Sequence, residues 1–224
     1  IQEPFGNAVH AGGAVPLEGK TIAIFGLGPI GLFLLLVARG LGAKNIIGAE
    51  PNPVSIEMAK RLGIDFVIPL RGQTSKTHGG LTSISLYKHD EEVVAQIEQF
   101  TNGLGVDVSF EMAGFNSSFN NAIFSTRRGG DVIAFGIKSG DFVLEDYNRF
   151  VLRGLTVHAV IGRRLPETWE MTQKLFADPS NKIQENIWNI ILSQGKGTIL
   201  PLREYTKEKF EEMMAKHPKL LIEI

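Results

Sequence analysis

The sequence lacks two features that would each point to a class of protein. It contains no cysteine, which excludes a disulfide framework and any thiolate metal site. It also has no excess of positive charge, because 23 Lys and Arg residues are matched by 24 Asp and Glu residues. A protein that neutralises the phosphates of nucleic acid needs such an excess, so we expect no nucleic-acid partner.

An uninterrupted hydrophobic run of membrane-spanning length is also missing. Residues 21–38 carry no charge and are mostly apolar, but three glycines and Pro29 interrupt them near the centre. A spanning helix needs about 20 continuous apolar residues, so a short buried strand followed by a buried helix explains the stretch better. We expect no membrane contact and a cytoplasmic protein.

Hydrophobic residues nevertheless make up 43% of the chain, which is enough for a sizeable core. They form strand-length runs that alternate with helical patterns, as is typical of βαβ units in a parallel sheet. We therefore predict an α/β fold with a doubly wound, parallel, six-stranded sheet. The predicted strands are 21–26, 45–50, 66–70, 106–110, 131–136 and 155–161, and the predicted helices are 29–41, 53–62, 90–100, 117–126 and 146–152.

This alternation of predicted strands and helices is interrupted once and then ends. Residues 71–89 are polar and rich in Gly, Ser and Thr, which predicts a surface loop or a small hairpin. The repeat stops at residues 178–180, and a helix near 184–192, a helix at 207–216 and a strand at 219–224 follow. These last elements do not continue the βαβ pattern, so they indicate a different structural unit.

We therefore divide the chain into two parts. Residues 1–180 form the α/β domain, of which 1–19 are a lead-in helix or linker, and residues 181–224 form a C-terminal segment. The first residue is Ile and its surroundings have no leader character. We expect the chain to be part of a longer protein.

The most informative local pattern is GLGPIG at residues 26–31, directly after the first predicted strand. A glycine at 26 allows a tight turn, one at 28 lets the backbone approach a pyrophosphate, and one at 31 lets the following helix pack on the strand. The helix N-terminus offers free N–H groups and a positive dipole end to phosphates, and Pro29 suits the first helical position. The other interpretation is a turn that binds nothing.

An acid at the end of the second predicted strand supports the binding interpretation. Glu50 lies about 20 residues after the turn, where a dinucleotide-binding unit places the carboxylate that accepts hydrogen bonds from the ribose hydroxyls. The same carboxylate would repel a 2′-phosphate, which favours NAD over NADP. The alternative is that Glu50 only ends a strand.

Later strand ends supply further candidates. Ligands of a doubly wound sheet lie beyond the carboxyl ends of the strands, and those ends are 112–114, 135–137 and 161–163. Their glycines would let a nicotinamide ribose approach, or they are ordinary loop glycines. The cofactor-binding candidates are Gly26, Gly28, Pro29, Ile30, Gly31, Glu50, Asn52, Ala113, Gly114, Gly136, Ile137, Ile161, Gly162 and Arg163. The five histidines have no metal-ligand spacing, so we assign no catalytic residue.

Four segments are more specific than the strand pattern: QEPFGNAVHA at 2–11, GLGPIG at 26–31, FEMAG at 110–114 and GRRLPETW at 162–169. Through them the chain resembles the cofactor half of the zinc-dependent medium-chain dehydrogenases, which are alcohol dehydrogenase-like. The resemblance covers nearly the whole chain and weakens over 71–89 and 182–197. The last segment is typical of the members that oxidise threonine, while polyol or butanediol oxidation is the alternative within the family. A non-catalytic NAD-binding module is the alternative from another class.

The resemblance implies a Rossmann sheet and NAD-dependent oxidation of a secondary alcohol bound to a catalytic zinc. In the family most zinc ligands belong to an N-terminal catalytic domain, from which 1–19 would lead in and to which 181–224 would return. Glu3 matches a family glutamate that can ligate this zinc. It is expected to do so only in the full-length protein. The chain alone is therefore expected to bind NAD without catalysis, with its C-terminal segment loosely attached or docked on another molecule.

The family also implies an assembly. Its members pair two cofactor domains through their sixth strands, which here is the predicted strand 155–161. We expect a homodimer formed at this edge, and a tetramer for the whole protein.

Overall fold

A computed structural model describes residues 1–71, 87–138 and 141–224. Within these ranges a single large sheet of six parallel strands runs in the order β3-β2-β1-β4-β5-β6. The α/β, doubly wound prediction is therefore confirmed. The strands are β1 (Thr21–Phe25), β2 (Asn45–Glu50), β3 (Phe66–Pro69), β4 (Val106–Glu111), β5 (Thr126–Ala134) and β6 (Thr156–Ala159).

Helices cover both faces of this sheet. In the described ranges they are α1 (Gln2–Gly12), α2 (Pro29–Gly40), α3 (Pro53–Arg61), α4 (Glu91–Phe100), α5 (Asn116–Ser125), α6 (Tyr147–Leu152), α7 (Glu167–Ala177), α8 (Ile183–Asn186) and α9 (Lys207–Lys216). Four of them begin at a side-chain cap, which is Asn52 for α3, Asp90 for α4, Asp146 for α6 and Thr206 for α9. No described helix is both long and apolar enough to cross a membrane.

The central strand β1 shows why the sequence lacks strict alternation. Ile22 and Ile24 belong to the core on one face, while Ala23 and Phe25 belong to the core on the other face. Both faces are covered, so successive residues are all apolar. Because β1 lies between β2 and β4, the strand order reverses beside it, and the crevice of a doubly wound sheet opens at this point.

The lead-in residues form a helix that is part of the core. In α1, Phe5 is fully buried and its ring lies 5.7 Å from that of Phe33 on α2 and 4.7 Å from that of Phe176 on α7. A Cβ on Gly12 would lie 2.8 Å from Val37 Cγ1, so α1 and α2 approach closely. This helix therefore packs on the nucleotide-binding unit.

Two strands, β5 and β6, differ most from the prediction. β5 begins at Thr126 rather than 131, because its first residues pair with Val106 before the register shifts between Val106 and Val108. β6 is shorter than 155–161 and ends at Ala159. The predicted loop or hairpin at 71–89 lies almost wholly outside the described residues.

The C-terminal segment begins inside the core. Residues 183–192 form α8 and a π-helical stretch, Ile187–Ile191, and three isoleucines at 183, 187 and 191 are buried in the same cluster as α1 and α2. The expected loose attachment is therefore wrong for this half. The rest is a two-stranded parallel sheet of β7 (Ile199–Pro201) and β8 (Leu221–Glu223), with α9 between them in sequence.

Candidate functional site

Two of the three motif glycines are required by the fold of the turn itself. Gly26 has φ +101°, a conformation that side chains rarely adopt. A Cβ on Gly31 would overlap the carbonyl oxygen of Gly26 and lie 3.0 Å from its carbonyl carbon. The helix α2 therefore packs on the end of β1 only because residue 31 has no side chain.

The middle glycine has no such reason within the chain. Gly28 has φ −63° and ψ −172°, which any residue can adopt, and beyond its two chain neighbours no described atom lies within 4 Å of the position that its Cβ would occupy. The space beside Gly28 is open at the carboxyl edge of the sheet. A ligand that approaches the backbone closely is the remaining physical reason for a glycine here.

The N-terminus of α2 opens toward this space. Gly28 is the N-cap and provides no side-chain cap, Pro29 has no N–H, and Leu32 N–H is the first to bond back, to Gly28 O at 2.9 Å. The first backbone N–H groups of the helix are therefore available to an anion. The described residues fit a pyrophosphate at this point.

The acid Glu50 lies beside the same turn, as predicted. It is only 8% exposed; its Oε2 accepts from Leu27 N–H at 2.6 Å, and its Oε1 accepts from Asn52 N–H at 2.9 Å. The sequence did not indicate the contact with Leu27, which makes Glu50 a support of the glycine turn. Each carboxylate oxygen accepts more than one hydrogen bond, so ribose hydroxyls still fit.

The loops after β4 and β5 meet the glycine turn. A Cβ on Gly26 would lie 2.9 Å from Ala113 Cβ, and a Cβ on Gly114 would lie 2.5 Å from Ile137 O. A Cβ on Gly136 would overlap Gly114 N. The structure thus brings together the candidates at 26, 113–114 and 136–137, and they form one surface of backbone atoms at the switch point.

The candidates after β6 are held in a different way. Arg163 Nη1 lies 3.1 Å from Glu3 Oε1, and His10 Nδ1 lies 3.0 Å from Gly162 O. Both contacts are to α1. Ile161 is largely exposed. Residues 161–163 are therefore anchored to the lead-in helix, and their role with a cofactor stays a prediction.

A buried carboxylate was missed by the sequence reasoning. Glu111 is the last residue of β4 and is only 2% exposed. Its Oε1 accepts from Ala113 N–H at 2.9 Å, Gly114 N–H at 2.8 Å and Ser118 Oγ–H at 2.5 Å. Burial raises the pKa of this carboxyl above its ordinary value, and these hydrogen bonds oppose the rise. The sequence feature that could have indicated Glu111 is the acid within FEMAG at 110–114, at the end of a buried strand.

The described residues do not by themselves form the zinc site that the family resemblance implies. Glu3 contacts Asn7 and Arg163, and within the described ranges no three His, Cys, Asp or Glu side chains are grouped as metal ligands. The predicted ligand role of Glu3 in a full-length protein stays a prediction.

A cleft of about 430 Å³ lies at the opposite edge of the sheet, among residues such as Lys44 and Phe100. Its floor is the amino ends of the strands, where Asp107 accepts from Thr21 N–H at 2.8 Å and from Arg127 Nε at 2.6 Å. These contacts hold strand starts together. Ligands of doubly wound sheets bind at the other end, so this cleft is not the candidate site.

Comparison with known proteins agrees with this geometry. The family model "Zinc-binding dehydrogenase" matches residues 29–178. The chain is 32% identical to L-threonine 3-dehydrogenase of Pyrococcus horikoshii over 96% of its length and 54% of that protein's. It is 30% identical to the enzyme of the same name from Caldanaerobacter subterraneus over 92% of its length and 52% of that protein's. The chain thus spans about half the length of the curated relatives it matches.

Solved structures share the fold. An alcohol dehydrogenase from Thermotoga maritima superposes with a TM-score of 0.75 at 24% identity, covering 99% of this chain and 55% of that one. The 2R,3R-butanediol dehydrogenase of Bacillus subtilis gives 0.72 at 25% identity, covering 99% and 56%. The likeness includes the six-stranded sheet and extends over the C-terminal segment.

Proposed function

The chain belongs to the zinc-binding dehydrogenase family, and from this premise we propose that it is the NAD-binding part of a longer secondary-alcohol dehydrogenase of the L-threonine 3-dehydrogenase type. The observation that carries the proposal is the turn at 26–31, whose middle glycine faces open space beside Glu50 and the uncapped start of α2. The 32% identity to a threonine 3-dehydrogenase over 96% of the chain supports the threonine assignment.

In this proposal the chain's own groups bind and orient the cofactor. Backbone N–H groups at the start of α2 donate to the pyrophosphate, and the Glu50 carboxylate accepts from the adenosine ribose hydroxyls. The same negative charge disfavours the 2′-phosphate of NADP. The bound nicotinamide would supply the hydride acceptor for alcohol oxidation. The backbone surface at 113–114 and 136–137 lets it lie close to the sheet.

Catalysis is assigned to the longer protein. Within the described residues Glu3 is the proposed contribution to a zinc site, and the remaining ligands would belong to a part outside this chain. We therefore propose that the chain alone binds NAD and does not oxidise an alcohol. A butanediol or polyol substrate is the alternative, favoured by the fold shared with 2R,3R-butanediol dehydrogenase. A non-catalytic NAD-binding module is the alternative from another class.

Calorimetric titration with NAD and NADP tests the cofactor proposal. Wild-type chain is expected to prefer NAD, and Glu50→Ala is expected to lower NAD affinity about tenfold and to abolish the preference, because a hydrogen-bonding charge is lost. The substitution also leaves Leu27 N–H without its acceptor, which could weaken both cofactors equally. The ratio of the affinities for NAD and NADP is therefore the decisive measurement. An unchanged ratio would remove Glu50 from the ribose site.

We further propose a homodimer through β6. This strand lies at the end of the sheet, and an unpaired edge invites pairing. Apolar side chains are exposed there and on the preceding helix, among them Val157 (39%) and Leu152. Light scattering is expected to give twice the 24.6 kDa chain mass. Val157→Lys is expected to yield monomers, whereas the matched control Leu104→Lys, on the loop before β4, leaves the dimer intact. A wild-type monomer would refute this assembly.

A further inference from the structure

Three loops at the carboxyl edge of the sheet approach one another closely, mostly through backbone atoms. These loops follow β1, β4 and β5, and they meet at Gly26, Ala113, Gly114 and Gly136. Contacts between glycines are weak in dispersion energy because few atoms take part. The arrangement therefore needs an anchor that fixes the backbone from beneath.

Glu111 has the geometry of that anchor. Its side chain binds the N–H groups of Ala113 and Gly114, while its own carbonyl oxygen accepts from Phe135 N–H and Gly136 N–H, each at 3.0 Å. One residue thus holds the start of both loops. Its Oε2 lies so near Gly136 that a Cβ there would come within 2.5 Å of it.

We propose that Glu111 is a positioning residue that shapes the nicotinamide side of the cofactor groove. The inference rests on the proposed function, because the loops it holds are those that would face the nicotinamide ribose. Dinucleotides lie across the switch point with one mononucleotide on each half of the sheet. The adenosine half is built by β1 and β2 with Glu50, whereas Glu111 holds the loops after β4 and β5, which belong to the other half.

The contact needs a strong hydrogen-bond acceptor, and an ionised carboxylate is one. Backbone N–H groups can only donate, and an ionised carboxylate only accepts. Ser118 Oγ–H adds a third donor to the same oxygen. A glutamine retains the size of the side chain and an oxygen that can accept at the position of Oε1, but it carries no charge and places an NH2 group at the position of Oε2 beside Gly136. Glu111→Gln is therefore expected to weaken these hydrogen bonds and loosen the loops without emptying the core. Burial raises the pKa of this carboxyl, and the hydrogen bonds that it accepts oppose the rise.

The test compares a ligand of both halves with a ligand of one half. NADH and AMP are titrated calorimetrically into wild type, Glu111→Gln and Asp107→Asn, and thermal unfolding is recorded for each. Asp107 is the matched control because it also binds a backbone N–H and a side-chain donor, at the opposite edge. Glu111→Gln is expected to weaken NADH binding about tenfold, because hydrogen bonds to a neutral oxygen are weaker than those to a charged one, and to leave AMP binding unchanged. Asp107→Asn changes neither affinity.

The outcomes separate the inference from the proposed function. Equal NADH binding by wild type and Glu111→Gln, or equal weakening of NADH and AMP, would overturn the positioning role. If the wild-type chain bound neither NADH nor AMP, the proposed function and this inference would both be refuted. Should Glu111→Gln not fold, Ser118→Ala replaces it, because it removes one donor and leaves the carboxylate in place. It is expected to weaken NADH about threefold, a single hydrogen bond, again without an effect on AMP.

Discussion

Replacing Gly31 by alanine is expected to abolish NAD binding and to lower the free energy of unfolding by about 3 kcal/mol, as overpacking against a fixed partner does. The new Cβ would overlap the carbonyl oxygen of Gly26. This oxygen cannot retreat, because Gly26 N–H bonds Ala49 O at 2.9 Å and Gly26 itself packs on Ala113. The helix must therefore move away from β1, and its N-terminal N–H groups move with it. Urea denaturation and calorimetric titration measure the two effects.

Gly28→Ala is the matched control for this experiment. Residue 28 has an extended conformation and open space where the Cβ would lie, so stability is expected to change by less than about 0.5 kcal/mol. Affinity for NAD is nevertheless expected to fall at least about tenfold, since the methyl group occupies the path of the pyrophosphate. Full-strength binding by Gly28→Ala would mean that the turn serves the fold and that phosphates bind elsewhere.

Replacing Ile191 by alanine is expected to destabilise the whole chain by about 2–5 kcal/mol, the range for large-to-small substitutions in a core. Ile191 is 0% exposed and lies in the cluster that contains α1 and α2. The C-terminal segment that carries it begins after the βαβ pattern has ended. A loss of this size in chemical denaturation, in one cooperative transition, would show that residues 183–192 fold together with the sheet.

Ile222→Ala is the comparison for the second half of that segment. This side chain is 46% exposed on β8, so its truncation is expected to cost less than about 1 kcal/mol. If Ile191→Ala cost as little as Ile222→Ala, residues 183–192 would be dispensable for the fold and the segment would be loosely attached along its full length.

Some parts of the candidate site depend on the local sequence, and others depend on residues that are distant in the sequence. The turn at 26–31 was predictable because its requirements are local: a strand, a tight turn and a helix start within a few residues. The same reason made three further features predictable, namely the strand Asn45–Glu50, the helix Lys207–Lys216 and the Asp90 cap of α4. Glu111 was not, because its partners and its burial depend on how three loops meet in space.

The sequence alone determined the fold class, the alternation of strands and helices, and the family, since these depend on hydrophobic period and on short motifs. Tertiary structure decided what periodicity cannot express. It placed Glu50 where its carboxylate accepts from Leu27 N–H, and it made Glu111 the link between two loops. It also buried Ile191 against helices that lie more than 150 residues earlier in the chain. The physical reason is that burial and hydrogen-bond partners are properties of the packed chain. A residue's neighbours in sequence do not specify which distant groups will surround it.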